Sequence, residues 1–383
     1  MRTQTTRRPT HAIIDLDALA SNFRSSKTFI GPNVKYMAVV KADAYGHGAT
    51  ECALRLEAEG VDWFGVAIPE EGVELRQAGV AAPILCLASF WPGQEKMLVE
   101  HRLTPVIYDE HAAHTLNEFV SRDSLTVDIH VKIDTGMGRV GVRYDRADAF
   151  AKNLQKFSNL HVSGLMTHFA SAENPAEAAF TKLQIERFNN ACKQFQNAGY
   201  DPEWIDLANS PGAIMHPDSR GNLVRLGGAL YGLLDDILPA DTQQPALRPV
   251  LALRSEIAHI RTVAAGESLG YGRTFFTDRE SKIALVPVGY ADGYPRGLSN
   301  RGMVCISGFN APVVGRISMD WTLVDVTDVP DAAIGNEVIL IGDSQECSVS
   351  AADIAKLLDT IGYEITCGIS PRVPRVYTRD GQT

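Results

Sequence analysis

Eight short apolar runs separated by longer amphipathic segments dominate the first two thirds of this chain. They are Met37–Val40, Trp63–Ile68, Ile84–Leu87, Thr104–Tyr108, Val127–Ile133, Val162–Thr167, Trp204–Leu207 and Leu223–Leu226. Runs that are apolar without strict alternation are the pattern of strands buried on both faces, which belong to parallel sheets covered by helices. Helical stretches lie between them, at Thr50–Glu59, Pro69–Ala78 and Ala176–Asn197. In the last, Ala179, Phe180, Leu183, Ile185, Phe188 and Cys192 fall near helical spacing. Eight strands alternating with helices predict an α/β fold, an N-terminal (β/α)8 barrel, with a doubly wound open sheet as the competing topology. A further strand, Ala12–Leu16, precedes the series, and Asp15 or Asp17 is placed to start the helix through Leu19 and Phe23.

Beyond a linker rich in proline and glutamine, Pro239–Pro249, the pattern changes. Short runs separated by glycine-rich turns appear at Leu251–Ile260, Lys282–Val288, Met303–Ile306, Pro312–Val314, Thr322–Val326 and Glu337–Ile341. They predict a C-terminal mostly-β domain. One helix, Ser350–Leu358, interrupts it, with Ser350 as N-cap ahead of Asp353. The expected boundaries are 1–243 for the barrel and 244–383 for the β domain, with the first strand free to pack against the latter. Arg379–Thr383 are expected to fray.

The 383 residues carry 36 Lys+Arg against 46 Asp+Glu, a net charge of −10. That balance argues against a nucleic-acid surface. Cysteines at 52, 86, 192, 305, 347 and 367 include no Cys-x-x-Cys pair, so packed, reduced thiols are expected, with neither a disulfide framework nor a metal site. Met1–Thr10 holds three arginines with no apolar segment behind them, and no run approaches a membrane span. Both features point to a cytoplasmic protein.

Polar and glycine residues follow five of the eight runs. Lys41 and Tyr45 follow the first, and Lys132-Ile133-Asp134-Thr135-Gly136-Met137-Gly138-Arg139 closes the fifth. His168 follows the sixth, Asn209-Ser210-Pro211-Gly212 the seventh, and Arg225-Leu226-Gly227-Gly228 closes the eighth. Each has an ordinary structural explanation: a snorkelling lysine, a turn glycine, a satisfied histidine, a helix-capping serine, an arginine paired with a surface acid. In a barrel all five share one rim, where active sites form. Ser210 with the backbone N–H groups of Gly227 and Gly228 suits a phosphate. Lys41, costly to bury as an ammonium, suits a Schiff base with an aldehyde. Phosphate and aldehyde together point to pyridoxal 5'-phosphate. Arg225, which cannot accept a proton, would then leave the pyridine nitrogen unprotonated and weaken the electron sink.

Several segments, in order, resemble the alanine racemase family. They are Ala38–Gly48, Lys132–Arg139, Ala208-Asn209-Ser210, Arg225–Gly232, Leu269-Gly270-Tyr271-Gly272, Gly289–Arg296, Gly315-Arg316-Ile317-Ser318-Met319-Asp320 and Arg372-Val373-Pro374-Arg375. The resemblance implies a homodimer with shared active sites, interconverting L- and D-alanine, and a role in supplying D-alanine for peptidoglycan. It implies that Lys41 holds the cofactor and acts as one base, and that Tyr271 of the partner subunit is the other. It also implies that Arg225 faces the pyridine nitrogen, that His168 links Arg225 to the tyrosine, and that Tyr45, Ser210, Gly228 and Tyr363 hold the phosphate. Asn209 and Gly227 belong to the same cofactor-binding segments. Arg139 and the Met319 backbone would hold the substrate carboxylate, Tyr290 and Tyr363 would narrow access, and Lys132 matches a lysine often carbamylated in the family.

Ser318, Trp321 and Leu226 depart from common family residues, leaving room for serine or other small amino acids as substrates. A fold-related decarboxylase would want an acidic partner for the pyridine, against which Arg225 argues. A carrier without catalysis would not need the second domain's Tyr271 and Arg296 segments.

Overall fold

A computed structural model of the protein describes residues 8–344 and 346–379. All eight apolar runs are strands of one parallel sheet: Lys35–Val39, Trp63–Val66, Ile84–Cys86, Leu103–Ile107, Val127–Asp134, Leu160–Met166, Trp204–Asp206 and Leu223–Leu226. Each pairs with the next, the last pairs with the first through Leu223↔Lys35, and no edge is left, so the sheet is a closed barrel and not a doubly wound sheet. Inward side chains of Met37, Trp63, Leu85, Val106, Met166 and Leu223 form a separate apolar cluster that fills its interior. Helices Ala49–Ala58, Pro69–Gln77, Glu110–Ser121 and Ala178–Asn197 surround it.

The first strand, His11–Asp15, lies outside the barrel. It runs antiparallel to Leu251–Glu256 and parallel to Arg375–Thr378, so the first and last described strands belong to the second domain's main sheet. Asp15 then caps the helix Leu16–Ile30 by accepting from the N–H groups of Asp17 and Ala18. The linker has no regular structure but is anchored. Buried Asn22 donates to Arg248 O and accepts from Arg248 N, at 2.7 and 2.8 Å.

The second domain is mostly β, with a large mixed sheet and a three-stranded sheet of His259–Val263, Ser281–Val286 and Thr322–Asp325. The single run expected at 251–260 is therefore two strands. Between them, Ile257 and Ala258 donate to Asn336 and Leu285 as the chain crosses from one sheet to the other. The strand expected at Pro312–Val314 is instead Phe309–Pro312, the return arm of a hairpin with Met303–Ile306. The helix Ala351–Leu358 begins as expected, with Ser350 and Asp353 exchanging a side-chain and a backbone hydrogen bond. The elements that carry no sequence signal include the short helix Gly362–Cys367, the strand Arg375–Thr378 and the two-residue strands Ser268–Leu269, Phe275–Phe276 and Ser348–Val349. The expectations for Met1–Arg7 and for residues 380–383 lie outside the described residues.

The cysteine expectation is corrected. Cys305 and Cys347 form a disulfide, with Cα atoms 6.0 Å apart at a sequence separation of 42. Cys305 pairs in register with Ile339, and the chain after the strand Glu337–Asp343 doubles back through Cys347. Sheet order, which no spacing motif records, brings the two sulfurs together. Among the described residues no helix is long and apolar enough to cross a membrane.

Candidate active site

A cavity of about 840 Å³ opens at the C-terminal ends of the barrel strands. Lys41, Tyr45, Lys132, Arg139, His168, Asn209, Ser210, Arg225, Gly227, Gly228 and Tyr363 all line it. The five rim segments therefore converge, as the barrel geometry requires.

Lys41 begins a turn of unusual backbone. Ala42, Asp43, Ala44 and Tyr45 all have φ between 53° and 56°, a left-handed helical turn built without glycine. Such residues cost about 1–2 kcal/mol each, so the surroundings must hold them. Glu71 accepts from Ala42 N at 2.7 Å and from Ala67 N at 2.6 Å. Asp43 accepts from Ala49 N, and His47 Nδ1 donates to Ala44 O and Tyr45 O. Tyr231 donates to Val39 O and packs its ring on His47. Lys41 is thereby fixed, half-buried, in the cavity wall. Burial, then the charges of Arg139 and Arg225, depresses its pKa, with Glu71 pulling the other way.

Three hydroxyls and a backbone stretch form a cradle beside it. Ser210 Oγ accepts from Gly227 N at 2.9 Å. A Cβ on Gly227 would lie 2.7 Å from Tyr45 Oη, and one on Gly228 would overlap the Tyr363 ring. Only glycine lets both tyrosines close on that backbone. Burial pushes the Tyr45 hydroxyl to about 12 and the Tyr363 hydroxyl higher still, so both remain donors at neutral pH. Asn209 uses its Oδ1 to cap the helix Ser210–Met215 through Gly212 N, which seats Ser210 at the helix start.

Across the floor lies Arg225, buried to 3 % exposure. Its Nη2 donates to Thr167 O at 3.0 Å, Leu207 O at 3.1 Å and His168 Nδ1 at 3.2 Å. Its Nη1 is ion-paired with Asp206. The pairing anticipated for Arg225 as an ordinary feature was a surface acid; the observed partner is fully buried. His168 is held well below its ordinary pKa by burial and by Arg225, and is neutral. Lys132, also buried, is lowered to about 7 by burial and the charges of Arg225 and Arg139. Arg139 is exposed at the rim.

Tyr271, Tyr290 and Met319 are not brought to this cavity within one chain. They lie on the second domain, 72 %, 43 % and 52 % exposed. The Tyr290 and Ala291 amides donate to Ser318 O and Met319 O, and the Gly270–Gly272 turn packs on Arg316, so the three share one region of that domain. Three further residues bear on the site without a sequence signal that marks them: Glu71, Asp206 and Cys367. Glu71 followed a proline-led helix start, a common place for an acid; Asp206 was hidden inside an apolar run; Cys367 lay in the unforeseen helix.

A closed parallel barrel with a lysine after its first strand, an arginine in its eighth and a β domain behind it defines a class of barrel enzymes. Comparison with known proteins makes the class specific. Residues 14–235 match the family described as alanine racemase, N-terminal domain, and residues 250–377 match alanine racemase, C-terminal domain. A protein of Halothermothrix orenii named alanine racemase is 44% identical over 373 residues, 97% of each chain; its namesake in Geobacter sulfurreducens is 42% identical over 374 residues, likewise 97% of each. The solved alanine racemase of Clostridium difficile superposes with a TM-score of 0.91 at 36% identity, covering 99% of this chain and 98% of that one. That of Bartonella henselae, described with covalently bound pyridoxal phosphate, gives 0.86 at 29% identity, covering 97% and 100%. The chain belongs to the alanine racemase family.

Proposed function

We propose that this protein racemises alanine with pyridoxal 5'-phosphate as cofactor, by a two-base route that needs a second copy of the chain. The observation that carries the proposal is Lys41, an amine of depressed pKa facing both the Ser210–Gly227–Gly228 cradle and the Arg225 guanidinium. The donor set fits the group: hydroxyls and amides for a phosphate, an amine for an aldehyde, and a cation toward a ring nitrogen. The cofactor, when bound, acidifies the α-proton of an amino acid attached to it.

The chain's own residues do the rest. Ser210, Tyr45, Tyr363 and the amides of Gly227 and Gly228 hold the phosphate, and Asn209 fixes Ser210. Arg225 stays charged and keeps the ring nitrogen from taking a proton. Lys41 Nζ, poised by burial, moves a proton on one face of the substrate. Tyr271 of the partner subunit, exposed on its own chain, moves one on the other face, with His168 joining it to Arg225. Arg139 and the Met319 backbone hold the substrate carboxylate, and Lys132, alone or as a carbamate, orients Arg139. Tyr290 and Tyr363 restrict access to small side chains.

On this reading the protein is a cytoplasmic homodimer with domains 1–243, whose first strand packs in the second domain's sheet, and 244–383, and its product is D-alanine for peptidoglycan. The test is reconstitution with pyridoxal 5'-phosphate followed by borohydride. A visible band should vanish and the label should map to Lys41 by peptide mass spectrometry; label elsewhere refutes the assignment.

A further inference from the structure

Beneath the cavity floor sits an acid to which the reading above gives no task. Asp206 ends the strand Trp204–Asp206 and is fully buried. Its register partners are Met166 and Leu223, and Met166 pairs in turn with Lys132. Register places Lys132 level with Asp206, and alternation along Leu223–Arg225 turns Arg225, one inward position further on, into the same barrel interior. One carboxylate oxygen, Oδ1, is paired with Arg225 Nη1. The other, Oδ2, has no hydrogen-bond partner among the described residues. A buried oxygen left open beside two cations is expensive if its purpose is stability alone, since a buried ion pair seldom improves on an apolar substitute.

We propose that Asp206 is a positioning residue that orients the Arg225 guanidinium and supplies the buried negative charge that sets the proton affinity of Lys132. The arrangement of Arg225 leaves little freedom. Nη2 is committed to Thr167 O, Leu207 O and His168, and Nη1 to Asp206, so the carboxylate fixes the rotation of the fork. The groups facing this point are Arg225 and His168 from the neighbouring strand ends, Lys132 from the fifth strand, Arg139 and Lys41 from the rim, and neutral His130 behind Arg225. The two histidines are neutral, which leaves Arg225, Arg139, Lys132 and Lys41 as the bases that carry positive charge when protonated. The other acids of the cavity, Glu173, Asp236 and Glu364, line it without contact to Arg225, and Glu71 acts on Lys41. Asp206 is thus the acid placed to hold up the Lys132 proton against Arg225 and Arg139.

The significance of Asp206 rests on the active site proposed above, but its test need not. In the apoprotein, the rate of Lys132 acylation by acetic anhydride is followed against pH by peptide mass spectrometry. Asp206→Asn should move the Lys132 midpoint to lower pH, and Asp206→Glu should bring it back toward that of the parent. In the loaded protein the pH midpoint of the visible cofactor band should move in the same direction. A merely structural Asp206 would lower thermal stability and leave both midpoints in place, and that result overturns the proposal. Should Asp206→Asn fail to fold, carbon-13 NMR of the aspartate-labelled parent apoprotein decides. The Asp206 carboxylate must be ionised and must respond as Lys132 titrates; a silent carboxyl overturns the proposal.

Discussion

Arg225 Nη2 lies 3.2 Å from His168 Nδ1. Arginine has donors and no acceptor, so Nδ1 must present its lone pair and the ring must carry its proton on Nε2. The depressed pKa of His168 keeps this neutral tautomer through the physiological range. His168 is therefore a donor toward whatever approaches from the open side, and a phenol oxygen is a suitable acceptor. Replacing Arg225 with Lys removes the fork that fixes this tautomer. The variant should keep its fold yet lose racemisation by ~10²-fold or more, the scale of one misplaced catalytic group. Steady-state rates on L-alanine beside the parent check this.

The second base is open to a direct complementation test. Lys41→Ala and Tyr271→Phe should each be inactive as homodimers, the second still binding cofactor. Mixed under conditions that exchange subunits, they form heterodimers in which one site has an intact lysine and an intact tyrosine. Activity should reappear on mixing. Two inactive proteins that stay inactive once exchange is verified would mean that Tyr271 acts on its own chain or not at all.

Arg375 reaches across 329 residues to donate to Gly46 O from Nε and Nη2. It joins the final strand to the turn that carries Lys41. Gly46 itself has φ +84°, and a Cβ there would collide with the backbone of Thr366. Gly46→Ala should cost about 3 kcal/mol or more, combining a strained φ with a backbone overlap. Arg375→Ala should destabilise less, yet lower cofactor affinity by loosening the Lys41 turn. Denaturant melts and apoprotein cofactor titrations separate the two effects.

Acid should destabilise the protein through buried histidines. His47 is lowered to about 4 and His130 to about 3, burial being the main cause in both. The unfolded chain takes these protons near the ordinary histidine pKa while the folded chain refuses them, so stability is level above that pH and falls as pH drops below it. Each histidine contributes up to about 1.4 kcal/mol per pH unit between its unfolded and folded pKa. Among the described residues neither ring nitrogen of His130 has a hydrogen-bond partner. His130→Leu should therefore flatten the acid limb of stability without loss at neutral pH. Urea melts from pH 7.5 to 4.5 test the slope.

The barrel was legible because its strands are buried on both faces. A run such as Val127–Ile133 reads as one block, and its C-terminal end, which Lys132 closes and Asp134 to Arg139 follow, is marked by the change to polar residues. What escaped depended on distance in sequence. Asp206 is a single acid inside an apolar run, and only its neighbour strand reveals Arg225 as its partner. The left-handed turn at 42–45 contains ordinary residues whose strain is held by nearby His47 and by Glu71 and Arg375, and the last two are not associated with it by the local sequence. The Cys305–Cys347 pair follows from sheet order, so its 42-residue separation carries no motif. The bond closes a loop worth about 4 kcal/mol by the chain-entropy relation, and intact mass before and after reduction should differ by two hydrogens. Tyr271, Tyr290 and Met319 were read from resemblance, and their exposure on one domain is what residues serving a neighbouring chain would have.

The central claim is that this chain moves the α-proton of alanine from either face. Pure protein reconstituted with pyridoxal 5'-phosphate and given L-alanine in deuterated water, followed by chiral chromatography with mass detection, tests it most directly. The account predicts D-alanine carrying deuterium at the α-carbon, approaching an equal mixture of enantiomers. L-alanine recovered without D-alanine, from protein shown to carry the cofactor on Lys41, would contradict it.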